Sequence, residues 1–271
     1  MKKFFSAFFA LSLLVTMSVG FTGCKEEGCT DPLAANYNED ADEDDGSCTY
    51  DDSKLMFHLH GDYGTERFAL NQEFQTVDGR AINFSVLTFY ISNIRLVNAA
   101  GEEVAVDNYG YAQWKAGTMM YNVGDIEAGG YTELRFDVGV DSTANYSDPS
   151  LREDDHPLSN SNPDHAHWSW NSGYLFVRAE GLVDASAAGD EAADDGFIFH
   201  VGTMNALRNI SIPVQLTVNE GSTSNTVHMD FDVMKMIDGV DWTGNLVTHT
   251  MNDMPLAMSI ADNMVMAISA E

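Results

Sequence analysis

Histidine is the residue type in this sequence most suited to chemistry. His58 and His60 are separated by one residue in Leu55-Met56-Phe57-His58-Leu59-His60, and His165 and His167 repeat that spacing. Alternate residues of a strand share a face, so each pair would present two imidazoles side by side. His200 ends the apolar run Phe197-Ile198-Phe199, and all eight histidines lie between residues 58 and 249. A single strand histidine is more often packed or solvated than a ligand, and the repetition is what makes these five candidates. Imidazole binds copper, zinc, iron and nickel. The histidine-rich region has no Cys, no His-Glu-x-x-His and no Cys-x-x-Cys, so the usual zinc signatures are missing. A thiol-free soft-metal site outside the cytoplasm favours copper over zinc.

Two further residue types accompany the histidines. Trp168-Ser169-Trp170 directly follows His165-Ala166-His167. On an extended segment the two histidines take one face and the two tryptophans the other, so alternation alone does not join them around one ion. Eight of the 14 methionines fall between Met229 and Met266. Thioethers bind Cu(I), but methionine also fills irregular cores. The helix methionines read as core, and Met229, beside His228, is open to either role.

The elements that must position these residues read as strands. Period-two alternation rich in β-branched and aromatic residues runs through 55–60, 81–87, 89–97, 131–140, 174–182, 197–201, 210–218 and 227–236. Turn signals separate them, among them Asp78-Gly79, Gly129-Gly130, Asp195-Gly196 and Asp238-Gly239. The fold class expected is all-β, an antiparallel sandwich. The spacing of Leu256, Ile260, Met264 and Ile268 predicts one short C-terminal helix, capped by Asp253. Residues 141–164 are polar throughout and read as a long loop of the kind that often carries function.

Before this domain lie two other segments. Residues 1–23 have a positive start at Lys2 and Lys3 and an apolar stretch from Phe4 to Val19. They read as a secretory signal peptide. Phe21-Thr22-Gly23-Cys24 resembles a bacterial lipobox with Phe21 in place of the usual Leu, which implies cleavage before Cys24 and its lipidation. An ordinary signal peptide with a free Cys24 is the alternative. Lys25-Glu26-Glu27 resembles the surface-export signal of Bacteroidetes lipoproteins. The localisation expected is therefore the outer membrane with a lipid anchor, at the cell surface, with the periplasm-facing side as the alternative.

Residues 24–53 form an acidic stalk, with eleven acidic side chains between Glu26 and Asp52. In an oxidising compartment Cys29 and Cys48 are the only pair left after Cys24, and a disulfide between them would contribute about 3 kcal/mol. Inside that loop Asn38, Asp40, Asp42 and Asp44 alternate ahead of Gly46. Alternating oxygen donors suit a hard cation such as calcium. The EF-hand pattern is missing, and a plain acidic spacer is the alternative. Gly28-Cys29-Thr30-Asp31-Pro32, Asn36-Tyr37-Asn38 and Asp45-Gly46-Ser47-Cys48 resemble a short disulfide-closed acidic repeat of secreted Bacteroidetes proteins, which implies calcium.

The charge balance excludes one large class of partner. Lys and Arg number 13 against 42 Asp and Glu, a formal net charge of -29. Removing residues 1–23 takes away Lys2 and Lys3 and leaves -31. Such a surface repels phosphate backbones, so no nucleic acid is expected as a partner.

Five ordered stretches of residues 54–271 resemble the MbnP-like copper-binding family. They are Leu55 to His60, Phe89-Tyr90-Ile91-Ser92-Asn93-Ile94-Arg95-Leu96, Gly130 to Asp141, Trp168-Ser169-Trp170-Asn171-Ser172-Gly173-Tyr174 with Glu180-Gly181, and Phe199-His200-Val201-Gly202. The resemblance implies a β-sandwich and extracytoplasmic copper. It also implies a di-haem peroxidase-like partner enzyme that oxidises a tryptophan to kynurenine, whose new amine and carbonyl join histidine on the metal. Carried onto this chain, Trp168 or Trp170 is the residue modified and His200 the first candidate ligand, followed by His58, His60, His165 and His167. This chain has Ala166-His167 where Met and an aromatic often precede the tryptophan pair.

The leading expectation is thus a non-enzymatic copper-binding lipoprotein. A binding module for glycan or protein, with the tryptophans as a stacking platform, is the second. A hydrolase is the third, without a Gly-x-Ser-x-Gly or a paired-carboxylate motif to support it.

Overall fold

The computed structural model describes residues 25–32, 34–49, 53–107, 110–169 and 173–271. The expected signal peptide, Cys24 and Trp170 lie outside the described residues. The chain divides between Thr49 and Tyr50 into two compact units.

The first unit is small. A disulfide joins Cys29 to Cys48, and Glu27–Gly28 pairs in parallel with Glu43–Asp44. Asn38 and Asp44 turn their side chains onto the local backbone. Asn38 Oδ1 accepts from the Asp40 N–H, and Asp44 Oδ1 accepts from the Gly46 N–H, both at 3.0 Å. These are Asx-type turns, the ordinary use of Asn and Asp in a tight loop. Asp40 and Asp42 are exposed. Among the described residues no three carboxylates of this loop gather their oxygens within 4.8 Å.

The second unit is the β-sandwich. Its principal strands are β1 (Ser53–Tyr63), β2 (Ala81–Asn98), β3 (Met120–Ile126), β4 (Gly129–Val138), β5 (Gly173–Val183), β6 (Asp195–Gly202), β7 (Arg208–Val218), β8 (Asn225–Asp232) and β9 (Ile268–Ala270). Among the described residues one sheet has ten strands. Its path is β7-β4-β2-β5-β6 followed by the short strand Val247–Thr248. The other has five, with β9, β8 and β1 side by side and β3 also paired with β1. Phe57 on β1 meets Phe136 on β4, and Phe89 on β2 meets Phe231 on β8, with ring centroids 6.2 and 4.9 Å apart. These contacts join the inner faces into one core.

The sheets are mixed. β1 and β8 run parallel, in register from Asn225 opposite Leu55 to Asp232 opposite Asp62, and Val247–Thr248 runs parallel to β6. Parallel neighbours need a long crossover, and here most of the domain lies between β1 and β8. The runs at 81–87 and 89–97 join into the single strand β2, in which Asn93 takes a positive φ of 53° where the pairing with β4 shifts register. The run at 227–236 stops at Asp232, whose side chain accepts from the Met234 N–H and starts a short helix over Val233–Met236.

The helix predicted at the C-terminal end spans Met254–Ala267, with Asp253 accepting from the Leu256 N–H. Ile260 and Met264 are buried in it, and Met229 is fully buried on β8, so both methionines pack in the core. The loop at 141–164 contains a helical turn over Ser142–Asn145 and a 3-10 turn over Pro149–Leu151. No helix among the described residues is long and apolar enough to cross a membrane.

Candidate metal centre

The alternation of each strand decides which histidines face outward. On β6, Phe197, Phe199 and Val201 are buried, so His200 projects from the outer face of the ten-stranded sheet. On β1, Leu55, Phe57 and Leu59 are buried, so His58 and His60 project from the outer face of the other sheet. The five histidines expected to converge therefore do not form one set. His58 and His60 lie across the core from His200.

What His200 meets instead is His249. The two Nδ1 atoms are 3.1 Å apart and the ring centroids 4.9 Å apart. Trp168 completes the group, its ring 5.5 Å from His249 and 6.3 Å from His200. The indole is half exposed, at 49%.

Thr250 explains why His249 sits there. Its buried hydroxyl donates to the His200 carbonyl and accepts from the Gly202 N–H, both at 2.8 Å. The hydroxyl thus ties the segment after Val247–Thr248 to the edge of β6. Thr250 adopts φ 64° and Thr203 φ 68°. Left-handed backbone is costly for a β-branched residue, and such strain persists only where the surroundings enforce it. Both residues line a cavity of about 390 Å³ together with Trp168, His249 and Met251.

Glu180 on β5 fixes the chemistry of His200. His200 Nε2 lies 2.8 Å from Glu180 Oε1, which also accepts from Arg178 Nε at 2.7 Å. With Nε2–H donating to the carboxylate, Nδ1 keeps a lone pair that faces His249. A carboxylate behind a histidine is the usual way a metal-binding imidazole is oriented and made more basic. Burial lowers the His200 pKa despite the opposing pull of Glu180. Burial alone would raise Glu180, but its hydrogen bonds to Arg178 and His200 leave it below the usual carboxylate range.

His165 and His167 are engaged elsewhere. His165 Nδ1 is 2.8 Å from the Asn162 carbonyl, and the His167 ring packs edge-on against Tyr174 at 4.8 Å. The strand His167–Ser169 pairs with the start of β5 at Tyr174 and Gly173. Gly173, at φ 69°, has no room for a side chain, since a Cβ would stand 2.2 Å from Asn145 Oδ1. That oxygen accepts from the Tyr174 N–H at 2.8 Å, which fixes the start of β5 beside the tryptophan segment.

The donors at Trp168 are the two imidazoles, with the indole beside them and Met251 lining the same cavity. They suit a soft first-row ion. For metal–imidazole bonds of about 2.0–2.1 Å, a 3.1 Å separation corresponds to an angle of about 100° at the ion. His249 and Glu180 were not singled out by sequence. His249 follows the two-residue strand Val247–Thr248, with no alternation to mark it, and Glu180 is one carboxylate among many.

The MbnP family model matches residues 52–255, three-quarters of the chain, and these include the whole of this site. The chain belongs to the MbnP family. In fold it is similar to MbnP from Methylosinus trichosporium, with a TM-score of 0.53 and 15% sequence identity over 76% of this chain and 86% of that one. No curated protein matches this sequence. Within the family domain, Trp168 on its short strand, His200 on β6 and His249 beside Thr250 are brought together from three separate parts of the chain.

Proposed function

We propose that this protein is a non-enzymatic, extracytoplasmic copper-binding lipoprotein, with His200 and His249 as the imidazole ligands. Trp168 is the residue that a di-haem peroxidase-like partner enzyme oxidises to kynurenine. The observation that carries this reading is the half-exposed indole beside two imidazoles whose Nδ1 atoms are 3.1 Å apart. Exposure lets a partner protein act on the ring, and proximity puts the new amine and carbonyl next to the histidines. The copper is cargo, held by nitrogen donors with Glu180 orienting His200, and the family resemblance supports copper as the ion. The acidic surface would concentrate cations near the site, while the donors select among them. Lipidation at Cys24 would anchor the chain to the outer membrane, with the acidic stalk as spacer. Calcium in the stalk rests on the repeat resemblance alone.

The test is co-production of the full chain with the partner enzyme, followed by peptide mass and metal analysis. The peptide containing Trp168 should lose one carbon and gain one oxygen, and copper should reach about one per chain. Trp168→Phe should abolish the mass change and the copper together. An unmodified peptide and a copper-free protein in the presence of active partner would refute the proposal. A Cys24→Ala variant should leave the membrane fraction.

A second reading draws on the same exposure. Trp168 at the mouth of a 390 Å³ cavity suits stacking on a sugar ring. Quenching of Trp168 fluorescence by oligosaccharide in metal-free protein would favour it over copper binding.

A further inference from the structure

The outer face of the five-stranded sheet carries a second histidine group. His58 on β1 and His228 on β8 are directly opposite each other in the parallel register. Their Nδ1 atoms are 2.9 Å apart. His60, two residues along β1 on the same face, stacks edge-on against His58 with centroids 4.1 Å apart. Glu271 closes the group from β9's side, its N–H bonded to the His228 carbonyl. Its Oε2 is 3.3 Å from His228 Nδ1 and 4.0 Å from His60 Nε2. Among the described residues, His58, His60 and Glu271 are the three side chains of His, Cys, Asp or Glu type whose donor atoms lie within 4.8 Å of one another.

We propose that His58, His60, His228 and Glu271 form a second metal site, separate from the Trp168 site and selective for a divalent first-row ion of the zinc or copper(II) class. Donors bound at about 2.0–2.1 Å can be no more than about 4.2 Å apart, and His58–His228, His228–Glu271 and Glu271–His60 stand at 2.9, 3.3 and 4.0 Å. His58, His60 and Glu271 also gather their donor atoms within 4.8 Å of one another. The ligand types set the preference. Three imidazoles and a carboxylate suit a borderline divalent ion, whereas Cu(I) prefers softer donors.

The site is also built in advance. Both strands are part of the sheet, and the His60 ring is held by packing, its Nδ1 buried without a hydrogen-bond partner. Asp230 stands opposite His60 in the register. With Glu271 it adds negative charge beside the three imidazoles, which favours a cation. Binding through both Nδ1 atoms asks that the ring carrying the shared proton move it from Nδ1 to Nε2.

This inference does not depend on the proposed function, and the experiment separates them. Full-length protein carrying His200→Ala and His249→Ala, made without the partner enzyme, is titrated with Zn(II) and with Cu(II) against a competing chelator. About one ion should bind per chain. The Cu(II) spectrum should show superhyperfine splitting from several imidazole nitrogens. Adding His58→Ala and His228→Ala should weaken binding by about 100-fold or more, since loss of outer-shell partners alone costs 10–100-fold. Glu271→Gln, on the exposed edge, should weaken Zn(II) binding without altering the circular dichroism of the fold. Stoichiometric binding that survives the His58 and His228 substitutions would overturn the proposal, as would no binding in the starting variant.

Discussion

His200 and His249 face each other through their Nδ1 atoms at 3.1 Å, and the two residues are 49 apart in sequence. The arrangement depends on groups behind each ring. Glu180 takes the far nitrogen of His200, and Thr250 holds the backbone that carries His249.

Glu180→Ala removes the carboxylate from His200 Nε2 and leaves both imidazoles in the chain. Copper affinity should fall 10–100-fold while His200 and His249 remain in place. Competition with a Cu(I) chelator measures this. Unchanged affinity would remove Glu180 from the account of the site.

Thr250→Val keeps the shape of the side chain and deletes its hydroxyl. The His200 carbonyl and the Gly202 N–H then lose a buried partner, which should cost about 1–3 kcal/mol in chemical denaturation. Copper binding should weaken as well, because His249 is no longer tied to β6. A variant of native stability with wild-type affinity would contradict the positioning role.

Stability should also respond to His156, away from both histidine groups. The ring is buried, and its Nδ1 accepts from the Leu158 N–H at 3.0 Å. Burial, with Arg152 adding and Asp155 opposing, pushes its pKa down to about 4, against 6.5 for an ordinary histidine. The unfolded chain therefore binds the extra proton first as the pH falls. The stabilisation is complete above pH 6.5 and is lost as the pH drops towards 4, by up to about 3 kcal/mol. His156→Gln should flatten the denaturation midpoint across that window relative to wild type. An identical slope in the two proteins would show that His156 titrates normally in the fold.

Trp114 and Trp168 should behave oppositely. Trp114 is buried, donates its indole N–H to the Leu59 carbonyl at 3.2 Å and stacks on Phe89 at 5.2 Å. Gly61 leaves it space, since a Cβ there would meet the indole at 2.8 Å. Trp114→Ala should cost about 3–5 kcal/mol. Trp168→Phe, at a half-exposed ring, should leave stability almost unchanged while removing the proposed modification. Equal losses in thermal unfolding would mean that Trp168 is structural.

Local pattern made much of this protein legible. Alternating apolar residues at 55–60, 174–182 and 197–201 mark strands because a strand with one buried face requires period two, and the same rule puts His58, His60 and His200 on outward faces. The spacing of Ile260 and Met264 marks a helix for the corresponding reason at 3.6 residues per turn. The motif around Trp168 pointed to the family.

Which outward residues meet depended on pairings between distant segments. A parallel register set His228 opposite His58, and one threonine hydroxyl brought His249 to His200, with only two residues of strand to signal it. Sequence by itself determined which side chains leave the core, since burial is enforced within each strand. Tertiary structure alone decided which of them meet, because register and crossover are set by packing energies summed over the whole sandwich.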